Sequence, residues 1–221
     1  PSSNPEDSLD LADSVTIASV LSGSTVITGA GADTVAVSSS INSSTINLGA
    51  GDNVITAAGA TSSTLQGGSG NDSISFGTGG LIASSVGAGS GADTVSVAGN
   101  VSLSTVLAGS GNDYVELAAA TASSLQGSAG NDAVLITGNG VNVSIGGGEG
   151  DDYASIGGTL SGGQVLGGSG ADTILLAALS GGGSIYGGTT GNIDDAANLI
   201  SVGTISSGLI DGNAAADTIR V

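Results

Sequence analysis

The chain contains no histidine, cysteine, methionine or tryptophan, and a single cation, Arg220, stands against 19 acidic residues. Without histidine or cysteine the chain can build neither a Ser-His-Asp triad nor a zinc site, so no enzymatic activity is expected. The net charge of −18 leaves almost nothing to hold phosphate, which excludes nucleic acid as a direct partner. No apolar run approaches the roughly 18 residues of a membrane-spanning helix, so membrane insertion is not expected either.

Proline is also scarce, with 2 residues, whereas glycine is abundant, with 42 of 221. Glycine at this level is typical of collagen or of disordered chains. Collagen would need glycine at every third position together with much more proline. Disorder would need low hydrophobicity, but apolar residues make up 39% of this chain and recur at fixed positions. The glycines therefore punctuate a regular, repeating structure.

The repeat is about twenty residues long and is marked by an acidic or amide side chain. The marked positions are Asp13, Asp33, Asn53, Asp72, Asp93, Asp113, Asp132, Asp152, Asp172, Asn198 and Asp217. Successive positions lie 19 to 21 residues apart, except for a step of 26 before Asn198. This spacing predicts about eleven coils, with an insertion at 188–198 in a degenerate coil. We expect residues 1–221 to form one solenoid domain that is a piece of a longer chain.

Each repeat carries two short segments with the pattern of β-strands. After the marked residue, apolar side chains alternate with others, as at Val35 and Val37 or at Ile74 and Phe76, and this period of two predicts one buried face. A second apolar anchor precedes the glycines, as at Val26. Neither segment is long enough to be stable alone, but stacking equivalent segments buries both and pairs their backbones. The sequence thus predicts an all-β fold, a parallel β-helix or β-roll.

The two edges of the predicted solenoid differ in how strictly their length is kept. Across the glycine-rich edge, nine residues separate the two apolar anchors in eight successive repeats, from Val26–Val35 to Val165–Ile174. The opposite, serine-rich edge varies in length and has the character of an ordinary connection. It carries single apolar residues that would, if buried, form a third apolar column and make the cross-section more triangular than flat. These residues are Ile41, Leu81, Val101, Val141, Leu160, Leu179 and Ile205.

The glycine-rich edge repeats the pattern x-G-x-G-x-D. Glycine permits positive φ, so carbonyl oxygens can turn towards a common centre while the aspartate supplies a charged oxygen. Oxygen donors without nitrogen or sulfur suit a hard cation with six or more ligands, and calcium tolerates irregular geometry better than magnesium. The alternative is that these residues only form turns, which would tolerate other loop lengths. The candidate metal-binding residues are Gly29, Gly31, Asp33, Gly49, Gly51, Asp52, Asn53, Gly68, Gly70, Asp72, Gly89, Gly91, Asp93, Gly109, Gly111, Asp113, Gly130, Asp132, Gly148, Gly150, Asp152, Gly168, Gly170 and Asp172.

Three loops resemble the RTX calcium-binding repeat, G-G-x-G-x-D-x-U-x: GGSGNDSIS at 67–75, GGEGDDYAS at 147–155 and GGSGADTIL at 167–175. The resemblance implies that each ion lies between the loops of successive coils, bound by backbone carbonyls and aspartate carboxylates. Because only one edge carries the motif, one column of several calcium ions is expected. The departures from the motif are Thr28, Leu48, Ala88 and Ala108 for the first glycine, Ser128 for the second, and Asn53, preceded by Asp52, for the aspartate.

The composition resembles that of the repeat regions of RTX-type bacterial surface-layer proteins, which are also acidic, rich in small residues and poor in cysteine and lysine. This resemblance implies a secreted, extracellular structural component of a cell-surface layer or fibre that is folded by calcium after export. The expected partners are other copies of the chain, flanking domains of the same protein and cell-surface polysaccharide.

Two other functions remain open at this point. The first is a calcium-folding secretion or spacer region of a larger RTX toxin, hydrolase or adhesin. The second is ice binding, as in some RTX-type adhesins that present a threonine ladder on the calcium edge. Ice binding is disfavoured because the corresponding positions here hold no threonine. They are Ala30, Ala50, Ser69, Ser90, Ser110, Ala129, Glu149 and Ser169.

Overall fold

The computed structural model describes residues 11–188 and 196–221, and in these residues every paired strand is parallel to its partner. The predicted insertion at 188–198 therefore lies largely outside the described residues. The described part of the chain contains no α-helix, and accordingly no helix long and apolar enough to cross a membrane.

Twenty-one strands follow one another along the described residues. The strands are β1 Ser14–Ile17, β2 Leu21–Ser22, β3 Thr25–Ala30, β4 Thr34–Asn42, β5 Thr45–Ala50, β6 Val54–Thr61, β7 Thr64–Ser69, β8 Ser73–Ile82, β9 Ser85–Ser90, β10 Thr94–Ser102, β11 Thr105–Ser110, β12 Tyr114–Thr121, β13 Ser124–Ala129, β14 Ala133–Ile136, β15 Gly140–Glu149, β16 Tyr153–Ser169, β17 Thr173–Ser180, β18 Gly183–Gly188, β19 Leu199–Ile205, β20 Gly208–Asp211 and β21 Thr218–Arg220.

Strands stack on the strands one repeat away, in a register that follows the sequence period. In β10, Val95 lies between Ile74 and Val115, which are its counterparts in the coils below and above. In β11, Val106 lies between Val86 and Leu125 in the same way. The fold is a parallel β-solenoid of about ten coils, which confirms the predicted fold class.

The core consists of apolar columns that run along the axis of the solenoid. The two predicted anchors of the coils are buried from Val35 to Val202, whereas Val26 is only partly buried. The third column is confirmed at Ile41, Leu81, Val101, Leu160 and Leu179. The prediction was wrong for Val141 and Ile205, which are 38% and 40% exposed.

Each of the two errors has a local cause. Gly140, not Val141, stacks between Ala120 and Leu160, and the apolar side chain that packs inwards in this coil is Val143. Ile205 pairs with Leu179 on one side, and no described strand stacks on its other side. A one-residue change of register moves a side chain from the core to the surface. Because small residues are common at this edge, the sequence does not show which of two neighbouring residues faces the core.

The serine-rich edge is more ordered than an ordinary connection, because it contains an internal column of serines. The column consists of Ser24, Ser44, Ser63, Ser84, Ser104 and Ser123. Up to Ser104, each backbone N–H donates to the serine Oγ of the next coil, as from Ser84 to Ser104 at 3.1 Å. Each hydroxyl in turn donates to the carbonyl two residues earlier, as from Ser104 to Ser102 at 2.8 Å. We call this set the serine ladder.

Variation in coil length falls between the core anchors and the serine ladder. The register between β10 and β12 shifts between Val97 and Asn100, and the pairs β4–β6, β6–β8 and β16–β17 shift at the equivalent place. Bulges of this kind absorb extra residues without disturbing the pairing on either side. In the coils up to Ser123 both edges are therefore held by fixed hydrogen bonds, and the bulges between the edges accommodate the differences in length.

Adjacent serines in β13 and its preceding turn give a direct test of the serine ladder. Ser123→Ala removes the acceptor for the buried Ser104 N–H, so we expect the free energy of unfolding to fall by about 1–3 kcal/mol. Ser124→Ala is the control. The Ser124 side chain is only half-buried and accepts one 3.3 Å contact from Gln126, so a change within about 0.5 kcal/mol is expected. Urea unfolding of both variants measures the difference, and equal losses would contradict a structural role for the ladder.

Candidate metal centre

The glycine-rich loops need glycine for two separate reasons. Gly49 and Gly51 have φ values of 94° and 119°, in the region that other residues rarely adopt. A Cβ added to Gly49 would overlap the carbonyl oxygen of Gly29 in the preceding coil, and one added to Gly51 would overlap that of Gly31. The loops therefore stack backbone on backbone, with carbonyl groups closely packed along the edge.

The strand ladder is interrupted at the first position of each loop. Between β5 and β7, Asn47 pairs with Gln66 and Gly49 with Gly68, but Leu48 and Gly67 are skipped. The same step occurs between β11 and β13 at Ala108 and Gly127. The backbone thus departs from regular β pairing at one fixed point in each coil, five residues before the aspartate.

The aspartates at the ends of the loops, together with Asn53, form a continuous inner column. The backbone N–H of each one donates to the Oδ1 atom of its counterpart in the next coil, as from Asp93 to Asp113 and from Asp113 to Asp132, both at 2.8 Å. These side chains are almost completely buried, with Asp113 and Asp132 each 3% exposed. Because Oδ1 is fixed in this way, the orientation of the whole carboxylate is fixed too.

The second oxygen of these carboxylates is the unusual feature of the edge. In six of the aspartates Oδ2 is buried and has no hydrogen-bond partner within residues 11–188 and 196–221. We call these atoms the inner oxygen column. They belong to Asp33, Asp72, Asp93, Asp113, Asp132 and Asp152. An unsatisfied buried charge is too costly to be retained without compensation, so each of these oxygens requires a proton or a cation.

The first glycine of a loop leaves space beside the inner oxygen column. A Cβ added to Gly127 would overlap Asp132 Oδ2 and lie 2.6 Å from the carbonyl oxygen of Gly147 in the next coil. A Cβ added to Gly67 would likewise overlap Asp72 Oδ2 and lie 2.6 Å from the carbonyl oxygen of Ala88. A carboxylate oxygen and a carbonyl oxygen of the following coil therefore converge on one small opening. This donor set, which consists of oxygen alone, fits a calcium ion.

Burial and mutual repulsion raise the pKa values of carboxyl groups in the inner column. Burial raises the pKa of Asp132 to about 7, and the charges of Asp113 and Asp152 add to the rise. Burial also raises the pKa of Asp152 and of Asp72 to about 6. The pKa values of Asp93 and Asp113 are raised for the same first cause. A column of stacked carboxylates without cations therefore favours protons over negative charge.

The structure separates the predicted metal-binding residues into an inner and an outer set. The aspartates from Asp33 to Asp172, with Asn53, lie in the inner column. The carbonyls that converge with Asp72 Oδ2 and Asp132 Oδ2 belong to Ala88 and Gly147, first loop positions that are not among the predicted residues. Asp52 lies on the outside, where its Oδ1 atom accepts the N–H of Asn71 at 2.7 Å.

Sequence reasoning did not recognise that Asp52 belongs to a second, solvent-facing column. Its other members are Asn71, Asn112, Asn131 and Asp151, each of which accepts a backbone N–H from the next coil. The recurring acidic or amide residue just before the loop aspartate was the available signal.

Within residues 11–188 and 196–221, no group of three or more His, Cys, Asp or Glu side chains is arranged to hold a metal ion. The reason is the composition of each loop, which contributes one buried carboxylate and several backbone carbonyls. The assignment of individual residues as ligands therefore stays a prediction.

Comparison with solved structures supports the fold. The chain is similar to a hyperactive, Ca2+-dependent, β-helical antifreeze protein from an Antarctic bacterium, with a TM-score of 0.69 and 20% sequence identity. The match covers 99% of this chain and 85% of the other. No family model matches the chain, and no curated protein matches it in sequence.

Raised carboxyl pKa values predict an unusual pH dependence in the absence of metal. Because Asp132 and Asp152 have pKa values of about 7 and about 6 when folded, above the ordinary 3.8, the folded chain binds more protons than the unfolded chain. Stability without calcium should therefore be greatest near pH 4 and should fall as the pH rises towards 7. Thermal melting in metal-free buffer between pH 4 and 7.5 measures this.

A matched variant and a calcium series serve as controls. Asp132→Asn removes the group with the highest of these pKa values and should flatten the pH dependence. Excess calcium should reduce the loss of stability at high pH, because the ion competes with protons for the same oxygens. A melting temperature that rises between pH 4 and 7 without calcium would contradict the description of the inner oxygen column.

Proposed function

We propose that the chain is a calcium-stabilised β-solenoid module with a structural role outside the cell and with no catalytic activity of its own. The observation that carries this proposal is the inner oxygen column, in which buried carboxylate oxygens face carbonyl oxygens of the next coil. Calcium takes six to eight oxygen ligands and accepts mixed carboxylate and carbonyl donors. The loop aspartates and the carbonyls around the loop glycines would hold the ions.

Electrostatics explain why such a module would fold only with calcium. Adjacent coils are about 4.8 Å apart, so neighbouring ionised aspartates repel by about 0.9 kcal/mol in water and about 3.5 kcal/mol at an effective dielectric constant of 20. A divalent cation between two coils converts this repulsion into attraction. Extracellular calcium modules bind at about 10⁻⁴ to 10⁻³ M, so the chain would remain unfolded in the cytosol and fold after export. The calcium dependence stated for the similar antifreeze protein supports this proposal.

The repetitive, rod-like fold and the charge support a structural role. Stacked coils form a rod on the order of 50 Å long, and the only cation on the chain, Arg220, cannot neutralise 19 acidic residues. Calcium between acidic surfaces would allow contacts with other copies, with flanking domains and with anionic cell-surface polysaccharide. We therefore favour a component of a bacterial surface layer or extracellular fibre, and the secretion or spacer module of a larger RTX protein is the alternative.

The antifreeze activity of the similar protein is not proposed for this chain. Sequence identity of 20% supports a shared fold and no more. The outward positions of the loops also differ from coil to coil in size and charge, as at Ala50, Ser69 and Glu149. Such a surface presents no single repeated side chain.

Calcium should drive folding of the chain. At a tenfold excess over the dissociation constant, each site adds about 1.4 kcal/mol, and several sites together approach the stability of a whole domain. Circular dichroism should show a β spectrum in millimolar calcium and its loss in excess chelator at pH 7.5. Magnesium at the same concentration is the control and should restore less structure. An identical spectrum and melting temperature in calcium and in chelator would contradict the proposal.

Calcium should also promote assembly of copies of the chain. Light scattering and electron microscopy should show filaments or sheets in calcium that chelation disperses. Calcium titration at constant ionic strength separates bridging by the ion from simple screening of charge. A chain that folds in calcium but stays monomeric at every concentration would contradict the structural role and support the secretion module.

A further inference from the structure

In one loop of the glycine-rich edge, from Leu48 to Asn53, the inner side chain donates hydrogen bonds to the buried carbonyl oxygens beside it. Asn53 replaces aspartate in the inner column, and its Oδ1 atom accepts the Asp33 N–H at 2.9 Å, as the aspartates do for their neighbours. A backbone N–H can bond only to the oxygen, so the Asn53 amide nitrogen must occupy the place that Oδ2 has elsewhere. From there it donates to the Gly51 carbonyl at 2.8 Å and to the Gly67 carbonyl at 3.4 Å.

These two carbonyls identify what the inner oxygen column faces in other coils. Gly51 lies two residues before the inner side chain, and Gly67 is the first loop residue of the next coil. The equivalent carbonyl beside Asp132 belongs to Gly147, and it converges with Asp132 Oδ2 on the opening left by Gly127. At Asn53 the amide N–H groups donate hydrogen bonds to the carbonyl oxygens. At Asp132 the carboxylate oxygen Oδ2 faces the carbonyl oxygen, and both of these atoms are acceptors.

The first position of the same loop is also changed. Leu48 occupies the place of Gly67 and Gly127, and its side chain is completely buried. A Cβ at this position points towards the inner side chain five residues later, as the overlaps calculated for Gly67 and Gly127 show. Ala88 has a methyl group there while Asp93 keeps an inward Oδ2 atom, so a small side chain alone does not remove the oxygen. In the Leu48 loop the opening is filled and the carboxylate is absent.

Asp52 does not replace the missing charge. Its side chain is exposed, and its Oδ1 atom is held on the outer column by the Asn71 N–H at 2.7 Å. The inner space between the loops of Asn53 and Asp72 therefore receives no charged oxygen from the Asn53 coil.

From these contacts we infer that the space between the Asn53 loop and the Asp72 loop binds no cation, because the Asn53 amide takes the place of the ion. This inference rests on the proposed calcium function and refines it. The ion column is divided at Asn53 into a short segment at the Asp33 loop and a longer one that begins at Asp72. The contact between the Asn53 and Asp72 loops is therefore stable without a metal ion. The contacts between the loops that follow Asp72 need calcium.

Reciprocal exchanges of amide and carboxylate test this inference. Asn53→Asp should create a site and raise the number of bound calcium ions by one, and Leu48→Gly/Asn53→Asp additionally opens the space that glycine leaves in other loops. Asp152→Asn should lose one ion, since its amide can make the contacts that Asn53 makes. Equilibrium dialysis with calcium measures the stoichiometry of the full chain.

Melting in chelator at pH 6 gives a readout that needs no calcium binding, because without metal the chain is expected to stay folded at this pH and to lose its β structure at pH 7.5. Asn53→Asp should melt below the wild type, because it adds a buried carboxylate, and Asp152→Asn should melt above it. A wild type that binds calcium, with no gain of an ion in either Asn53 variant, would overturn the inference. Failure of the wild type to bind calcium would instead overturn the proposed function, and unchanged melting temperatures in chelator would then overturn the inference as well.

Discussion

One hydrogen bond recurs in each coil of the glycine-rich edge, from a backbone N–H to the Oδ1 atom of the aspartate, or of Asn53, in the next coil. This bond holds each carboxylate in the interior of the glycine-rich edge, as between Asp113 and Asp132 at 2.8 Å. It also directs the second oxygen away from solvent and towards the next coil's carbonyls. The same contact that aligns the coils thus gathers negative charge at one edge, which the fold can tolerate only with protons or cations present.

At each edge a side chain must accept a backbone N–H from the neighbouring coil, and the two edges use different side chains to do so. At the serine ladder, a neutral hydroxyl accepts one N–H and donates to a carbonyl, so Ser104 leaves nothing unsatisfied. At the aspartate column, the carboxylate accepts an N–H but has nothing to donate. Asn53 combines the two solutions, because it accepts like an aspartate and donates like a serine. The difference makes one edge independent of conditions and the other sensitive to calcium and pH.

Much of this arrangement is predictable from the sequence, because a solenoid repeats the same local rule. The twenty-residue period and the alternation at Val35 and Val37 predict the fold and the core, and the constant nine-residue spacing predicts a constrained edge. The sequence does not reveal which of two adjacent polar residues points inwards, so it predicts both Asp52 and Asn53 as ligands. The serine ladder was missed because buried serines have the same composition as an exposed, serine-rich turn, and only their hydrogen bonds across coils distinguish them. Val141 was misplaced because a small residue, Gly140, can occupy the core position beside it.

Anomalous X-ray diffraction from crystals grown in calcium tests directly whether the inner oxygen column holds metal ions. We expect a column of calcium peaks about 2.3–2.6 Å from the Oδ2 atoms of Asp72, Asp132 and Asp152, with no peak beside the Asn53 amide. Well-ordered loops without anomalous density, together with carboxyl groups that donate hydrogen bonds to the facing carbonyls, would contradict it. That result would mean that protons alone compensate the buried column and that the edge is not a metal centre.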